Sequence, residues 1–577
     1  MEKIKVEDLT YIYPGTDKAA VDKVNFNVND GEMLAICGAT GSGKSTLLRL
    51  INPSITASMT GNISGNVIFS DADKRIGYVG QNPSEQIVTD KVWHEMAFGM
   101  ENLGIQKDRM ANRIAELSAY FGMEDWLDKD TFALSGGEQQ MLNLAAVMAM
   151  DPQILILDEP TSRLDPVSAQ SFITAVEKLH RDLSLTIIIA EHRLEEIIPI
   201  CDRLLILKAG GIACLDKPDK AILSIGEEDE LYEALPAAYR VFKGLCPDMD
   251  IPVSISEGRN ALRRLLAGSY APRDRKPAAR EKADTYSENV KDNMDCVTES
   301  AHTADKKPGH YKYNDGTVPG SDDGTYALEL SHVYFRYQKD MADVLSDMSL
   351  SVRNGEILCV LGGNGTGKTT AANIAAGLIR PYSGTVKVFG KPISGYKNQS
   401  LYNECLTMLP QDVENLFLYD SVKEELESMK YDPETNPIHI TGGLYERHPY
   451  DLSGGERQLL ALAKVMSTKP KLLILDEPTK GLDASIKKNL IRILREFKSK
   501  GVTCLIVTHD ADFAAECADR CALCFRGRIA SVDRPDVFFR NNRFYTTSCC
   551  RIGYGMLEGY PAVEGMRNKL FEITGTH

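Results

Sequence analysis

The chain has 577 residues, 43% hydrophobic and 25% charged, and its 66 Lys+Arg against 81 Asp+Glu leave a formal net charge of −15. This length exceeds what one hydrophobic core supports, so two or more domains are expected, and the acidic balance argues against a general affinity for nucleic acid phosphates. No apolar run approaches the roughly 20 residues that cross a bilayer; Met1 leads into EKIKVEDL without an apolar signal core, so the chain is expected to remain in the cytoplasm with its 13 cysteines as free thiols.

In chain order, a sheet-like stretch carrying Tyr13 runs into the strand EMLAICG and then GATGSGKST, Gly38 to Thr46. The pattern G-x-x-x-x-G-K-[ST] between a strand and a helix builds a phosphate cradle: glycines let consecutive backbone N–H groups turn inward, and the next helix presents its positive end. Lys44 is placed to reach the β- and γ-phosphates and Ser45 to ligate Mg²⁺. A mostly helical insert follows. LSGGE, from Leu134, then opens an apolar-periodic helix, and the strand ILILD ends in Asp158–Glu159. An acidic residue at such a strand tip holds Mg²⁺, and its neighbour orients an attacking water. The strand LTIIIA leads to His192.

Residues from about Leu231 to Leu266 read as a small helical appendage. Gly268 to Thr325 contains no Leu, Ile, Phe or Trp; it cannot bury enough apolar surface to offset its ordering entropy and reads as a flexible tether. Beyond it the first part repeats: EILCVLG, GGNGTGKTT (Gly362 to Thr370), LSGGE from Leu452, and LLILDEPTKGLD carrying Asp476, Glu477 and Asp483. Ser135 to Asp158 and Ser453 to Asp476 both span 23 residues, and Tyr13 to Lys44 and Tyr337 to Lys368 both span 31. Matched spacing over this range means two copies of one domain. Strands alternating with helices indicate α/β sheets with ligand at the strands' carboxyl ends. The expected division is a first domain over 1–230, the appendage over 231–267, the linker over 268–325, a second domain over 326–545 and a tail over 546–577 with no assigned role. CADRCALC, Cys517 to Cys524, has a spacing used for iron–sulfur clusters, but alignment with CDRLLILKAGG places Cys521 and Cys524 at strand positions held by Leu204 and Leu207. Core packing is therefore expected for these thiols.

These motifs resemble the ATP-binding cassette (ABC) family over nearly the whole of each copy, with LSGGE as its signature. The resemblance implies two tandem P-loop NTPase domains of α/β class, each with a mixed, largely parallel sheet core, an antiparallel β part and a helical subdomain, and it implies hydrolysis of ATP with Mg²⁺. Gln81 and Gln411 match the family's glutamine loop, His192 and His509 its switch histidine, Asp165 and Asp483 its D-loop, and Tyr13 and Tyr337 the aromatic residue that stacks on adenine. On this reading the catalytic groups are Glu159, Glu477, His192, His509, Gln81 and Gln411. The nucleotide is held by Tyr13, Gly38, Gly41, Ser42, Gly43, Lys44, Ser45 and Thr46 in the first copy, and by Tyr337, Gly362, Gly365, Thr366, Gly367, Lys368, Thr369 and Thr370 in the second. Mg²⁺ falls to Ser45, Gln81 and Asp158, or to Thr369, Gln411 and Asp476. Domains of this family pack head to tail, so Ser453, Gly454 and Gly455 complete the site on Lys44, while Ser135, Gly136 and Gly137 complete the site on Lys368. Both copies retain every motif, so two hydrolytically competent sites are expected.

VGQNPSEQIVTDKVWHEMAFGMENLG (Val79 to Gly104), LPQDVENLFLYDSVKEEL (Leu409 to Leu426) and AEHRLEE (Ala190 to Glu196) are similar to energy-coupling factor (ECF) transporter ATPases, some of which fuse both copies in one chain. This resemblance implies a motor subunit at the cytoplasmic face of the membrane. It would bind an integral scaffold (T-type) subunit and a substrate-binding membrane subunit, for uptake of a vitamin or transition-metal ion. Scaffold arginines are expected to meet Asp90 and Glu95, or Asp420 and Glu424. Two rival classes are tandem ATPases of sugar importers, which commonly carry a degenerate site, and soluble translation factors acting on ribosomes, which carry a basic helical linker. Neither feature is present here.

Overall fold

The computed structural model describes residues 2–70, 75–245, 251–267, 326–396, 400–434, 436–440, 442–543 and 545–574; the expected tether lies outside the described residues. ILILD and LLILD are unbroken apolar runs because both faces of a central parallel strand are covered. Ile154–Asp158 is buried along its whole length in a six-stranded sheet ordered Ile76–Val79, Ile154–Asp158, Thr186–Ala190, Met33–Cys37, Arg203–Lys208, Gly211–Asp216. All neighbours are parallel except the last pair. Side chains alternate across it: Leu155 and Leu157 pack on Phe172, Ile173 and Val176 of the helix Pro166–Leu183, while Ile154 and Ile156 pack on Leu47, Leu48 and Ile51 of the helix that follows the cradle. Each such side chain contributes about 1.5–3 kcal/mol by burial.

The second copy repeats this order with Leu406–Leu409, Leu472–Asp476, Thr503–Val507, Ile357–Leu361, Arg520–Phe525 and Arg528–Asp533. Each copy also has an antiparallel sheet whose central strand is its first: Glu2–Ile12 between Ala19–Asn29 and Asn62–Phe69, and Tyr326–Phe335 between Leu345–Arg353 and Ser383–Val388. With the helical part built on Val92–Asn102, Lys107–Phe121 and Gly136–Ala149, this is the expected α/β P-loop architecture in duplicate.

One expectation about the helical part is corrected. Glu95 is buried, and its Oε2 accepts from the Val88 and Thr89 backbone N–H groups and the Thr89 hydroxyl at 3.1, 2.8 and 2.9 Å. A carboxylate occupied in closing its own loop does not face a partner's arginine. Glu425 does the same for Leu418 and Tyr419 and also pairs with Lys464. Asp90, Asp420 and Glu424 are exposed.

The trailing segments of the two copies share one core. Helices Ala237–Phe242 and Ile255–Leu266 pack with Ser548–Gly553 and Val563–Thr574 around Val241, Phe242, Leu262, Ile552, Met566 and Leu570. Ser548 donates to Glu195 at 3.1 Å, and Arg567 pairs with Glu227 at 2.9 Å, so this unit is tied to the first copy as well as to the second. Cys521 and Cys524 are buried in the strand Arg520–Phe525. Every described cysteine is free, and no metal-binding group of three or more His, Cys, Asp or Glu occurs among the described residues. No described helix is long and apolar enough to cross a membrane.

Candidate active site

Each cradle is a tight turn between a central strand and a helix. Gly43, the residue before the helix Lys44–Ile51, has φ +102°, and a Cβ there would lie 2.2 Å from the Ala20 carbonyl oxygen. Gly367 sits likewise at φ +98°. Only glycine takes this backbone without strain. The cations fold back into the loops: Lys44 Nζ donates to the Gly38 and Ala39 carbonyls at 2.9 and 3.3 Å, and Lys368 Nζ to those of Gly362 and Gly363 at 2.8 and 2.9 Å. Tyr13 and Tyr337 hydroxyls meet Thr46 and Thr370 at 3.0 and 3.1 Å, which seats both aromatic rings beside the cradle helices.

The strand tips bring the acidic groups to the cradles. Ser45 Oγ donates to Asp158 Oδ1 at 2.8 Å, and Thr369 Oγ1 to Asp476 Oδ1 at 3.3 Å. Glu159 and Glu477 follow in the left-handed region, at φ +48° and +51°, where a non-glycine residue persists only if its surroundings impose it. Glu159 Oε1 lies 2.7 Å from His192 Nε2 and 3.5 Å from Lys44 Nζ, and Gln81 Nε2 donates to its Oε2 at 3.2 Å. Burial opposes the charge on Glu159, but His192 and Lys44 outweigh it and hold the carboxyl down at about 2. Glu477 Oε2 lies 2.9 Å from His509, through Nδ1 rather than Nε2. Gln411 is exposed and makes no hydrogen bond among the described residues.

The two metal-type carboxylates differ. Burial, then the charge of Glu159, raises the Asp158 pKa against hydrogen bonds from Ser45 and Tyr78, whose hydroxyl donates to Oδ2 at 2.8 Å. Asp476 has no such donor. Its Oδ2 is buried without a hydrogen-bond partner, and burial pushes its carboxyl up to about 6. An orphaned carboxylate oxygen beside the Thr369 hydroxyl is a hard-oxygen set that fits Mg²⁺. The Ser42 hydroxyl of the first cradle is also buried and unpartnered.

The copies meet through their D-loops and cradles, reciprocally. Asp483 Oδ2 accepts the Thr40 backbone N–H at 3.1 Å, and Asp165 Oδ2 accepts from Asn364 Nδ2 at 2.8 Å. Both aspartates also cap their own helices, Asp165 through Val167 and Ser168 and Asp483 through Ile486. Ser135 and Ser453 cap the signature helices in boxes with Glu138 and Glu456, which leaves Gly136 and Gly454 open to their surroundings. A Cβ on Gly455 would lie 3.7 Å from Thr40 Cγ2, so the second signature stands against the first cradle. Sequence reasoning passed over Tyr78, Thr40 and Asn364. The last two occupy corresponding variable positions inside the cradles, and only their contacts across the seam mark them.

The ABC transporter family profile matches residues 21–162 and 345–480. A Bacillus anthracis protein assigned as an ABC transporter ATP-binding protein is 32% identical over 565 residues, covering 95% of this chain and 94% of its own length. A Streptomyces coelicolor protein with the same assignment is 31% identical, covering 91% and 93%. Among solved structures, CbiO1 of Clostridium perfringens, part of the ABC transporter complex CbiONQ, is 30% identical and covers 39% of this chain and 92% of its own, with a TM-score of 0.35. A chain in the complex of archaeal ribosomal stalk protein aP1 and archaeal ribosome recycling factor aABCE1 is 17% identical, covers 92% of this chain and 90% of its own, and has a TM-score of 0.55, a likeness of fold alone. With relatives of this identity matched along nearly their whole length, and two cradle-and-signature domains in one chain, the protein belongs to the ABC transporter ATP-binding proteins, whose domains bind and hydrolyse ATP.

Proposed function

We propose that the chain is the ATP-hydrolysing motor subunit of a membrane transporter, of the energy-coupling factor type that takes up a vitamin or transition-metal ion, and that its two ATP sites are each completed by the opposite half. The observation that carries this reading is the reciprocal pair of contacts, Thr40 to Asp483 and Asn364 to Asp165. A cradle on one half that already bonds the D-loop of the other supports a nucleotide held across the seam. ATP, whose γ-phosphate concentrates negative charge, then favours the closed pair over the open one, and that differential affinity converts hydrolysis into movement.

Within each site, Lys44 or Lys368 and the cradle N–H groups bind the phosphates. Glu159 or Glu477 accepts a hydrogen bond from the attacking water and is held in place by its histidine. Ser45, Asp158 and Gln81, or Thr369, Asp476 and Gln411, would hold Mg²⁺, which would supply charge neutralisation at the phosphates. The signature-helix ends, Ser135 to Gly137 and Ser453 to Gly455, supply N–H donors from the other half.

The membrane assignment is supported by apolar side chains left uncovered around the glutamine loops. Phe132 is 83% and Leu418 81% exposed, with Val88, Trp93, Tyr419 and Tyr450 also exposed. Asp90, Asp420 and Glu424 add acidic groups to those surfaces. The chain would bind peripherally at the cytoplasmic face, to an integral scaffold subunit and a substrate-binding subunit. Affinity purification from solubilised membranes tests this: two co-purifying integral membrane subunits are expected. Recovery only with ribosomes in sedimentation would replace the transport reading by the translation-factor one.

A further inference from the structure

Between the trailing unit and the segment Pro535–Asn541 that precedes it lies an open cavity of about 460 Å³ that none of the residues assigned to nucleotide lines. Its walls carry four arginines: Arg259 from the helix Ile255–Leu266 of the first copy, and Arg540, Arg543 and Arg551 from the end of the second. The only carboxylate among the described lining residues is Glu558, whose Oε1 accepts the Gly555 N–H at 3.2 Å. In a chain of net charge −15, this is a local concentration of positive charge, of which Arg551 also lies near Glu195 and Glu196.

The groups are arranged rather than merely near one another. Arg259 Nη1 donates to the Arg551 carbonyl at 2.7 Å, which joins the two copies at the pocket wall. The guanidinium carbons of Arg259 and Arg543 lie 5.9 and 4.9 Å from the centroid of the Tyr554 ring, a cation–π arrangement. Arg540 and Arg543 are exposed and pair with no carboxylate among the described residues. Ile255 and Phe539 supply an apolar side. Planar guanidinium forks match phosphate oxygens bidentately, and the volume is that of a small-molecule site, about 300–1,000 Å³, not of a folded segment. The wall is also continuous with the catalytic region. Tyr545, next to the lining residue Thr546, stands so that a Cβ on Gly363 of the second cradle would lie 3.3 Å from its hydroxyl.

We propose that this cavity is a binding site for a small phosphate-bearing molecule, separate from the two nucleotide cradles and built jointly by both copies. The test is isothermal titration of pyrophosphate into the full chain carrying Lys44→Ala and Lys368→Ala, which removes the cradle cations. One equivalent is expected to bind. Adding Arg540→Gln and Arg543→Gln, both exposed and expected to leave the melting temperature unchanged, should weaken that binding at least about tenfold. Absence of binding in the cradle variant, or binding that ignores the arginine substitutions, overturns the proposal. So does arginine-dependent sedimentation with phosphatidylglycerol vesicles in the absence of pyrophosphate binding, which would assign the cavity to lipid headgroups. Failure of the cradle reading shows separately, as ATP binding by the unaltered chain that does not need Lys44 and Lys368.

Discussion

Asn364→Ala isolates one of the two cross-seam contacts. The side-chain N–H of Asn364 meets a carboxylate oxygen of Asp165 at 2.8 Å, and a hydrogen bond to a carboxylate is worth about 1.5–3 kcal/mol. Asp165 keeps its helix-capping bonds to Val167 and Ser168 and the bond from the Ser168 hydroxyl, so the substitution should not unfold the D-loop. The loss therefore falls on closure of the two halves. At about 1.4 kcal/mol per tenfold, the closed-to-open ratio drops by roughly 10- to 150-fold. Thr40, at the corresponding position of the first cradle, makes its contact through the backbone N–H. Thr40→Ala keeps that donor and serves as the control. Phosphate release measured against ATP concentration should show the half-saturating ATP raised at least about tenfold in Asn364→Ala and little changed in Thr40→Ala. If both variants match the unaltered chain, the contact has no part in closure and the composite-site argument fails.

Glu159→Gln and Glu477→Gln should each lower ATP hydrolysis, the double variant by about 100-fold or more in phosphate release; Glu159→Gln should remove the larger share, and equal losses would contradict the asymmetry argued below. Burial, resisted by Arg193, pushes the Glu196 carboxyl from the ordinary 4.5 up to about 7. The folded chain thus keeps a proton that the unfolded chain releases, and stability falls as pH rises from 4.5 through about 7. Glu196→Gln should flatten the melting temperature between about pH 5 and about pH 7, and an unaltered slope would count against Glu196 as its source. Glu95→Ala removes the acceptor of three hydrogen bonds and should destabilise the chain by about 2–3 kcal/mol in chemical denaturation; an unchanged midpoint would mean the loop holds without it.

What could be read from the sequence was what local geometry forces. A residue at Gly43 with φ +102° and a carbonyl 2.2 Å from any Cβ has one solution, so the cradle pattern is nearly a statement of backbone shape. ILILD and LLILD were legible for the same reason, since a strand covered on both faces admits little but aliphatic side chains. Glu95 was not, because a carboxylate closing its own loop and one facing solvent look alike in one dimension. A signal was present all the same. Val92 corresponds to Val422, and counting on from each reaches Glu95 and Glu425, so the repeat carries a glutamate at this position in both copies, whereas Glu424 stands where the first copy has His94. The charge shared by the two copies is the internal one. The seam roles of Thr40, Asn364 and Tyr545 were beyond such reading, because their contacts join segments whose approach depends on how two whole domains pack.

Identical motifs do not make identical sites, and the difference traces to residues outside them. In the strand beside the metal-type aspartate, Tyr78 of the first copy pairs in register with Ile156, and Met408 of the second with Ile474. The tyrosine hydroxyl satisfies Asp158 Oδ2 at 2.8 Å; methionine offers no donor, and Asp476 Oδ2 is left buried and unpartnered. Gln81 is already bonded to Glu159, whereas Gln411 is exposed. The first site therefore has its glutamate, histidine, glutamine and lysine within one hydrogen-bonded group before any nucleotide arrives. The second has its glutamate and histidine joined but an orphaned carboxylate oxygen and a detached glutamine, so more of its order must come from the ligand. Ordering that is supplied on binding subtracts from affinity. Two halves with the same catalytic vocabulary are thus expected to fill and turn over at different ATP concentrations, with the first site leading.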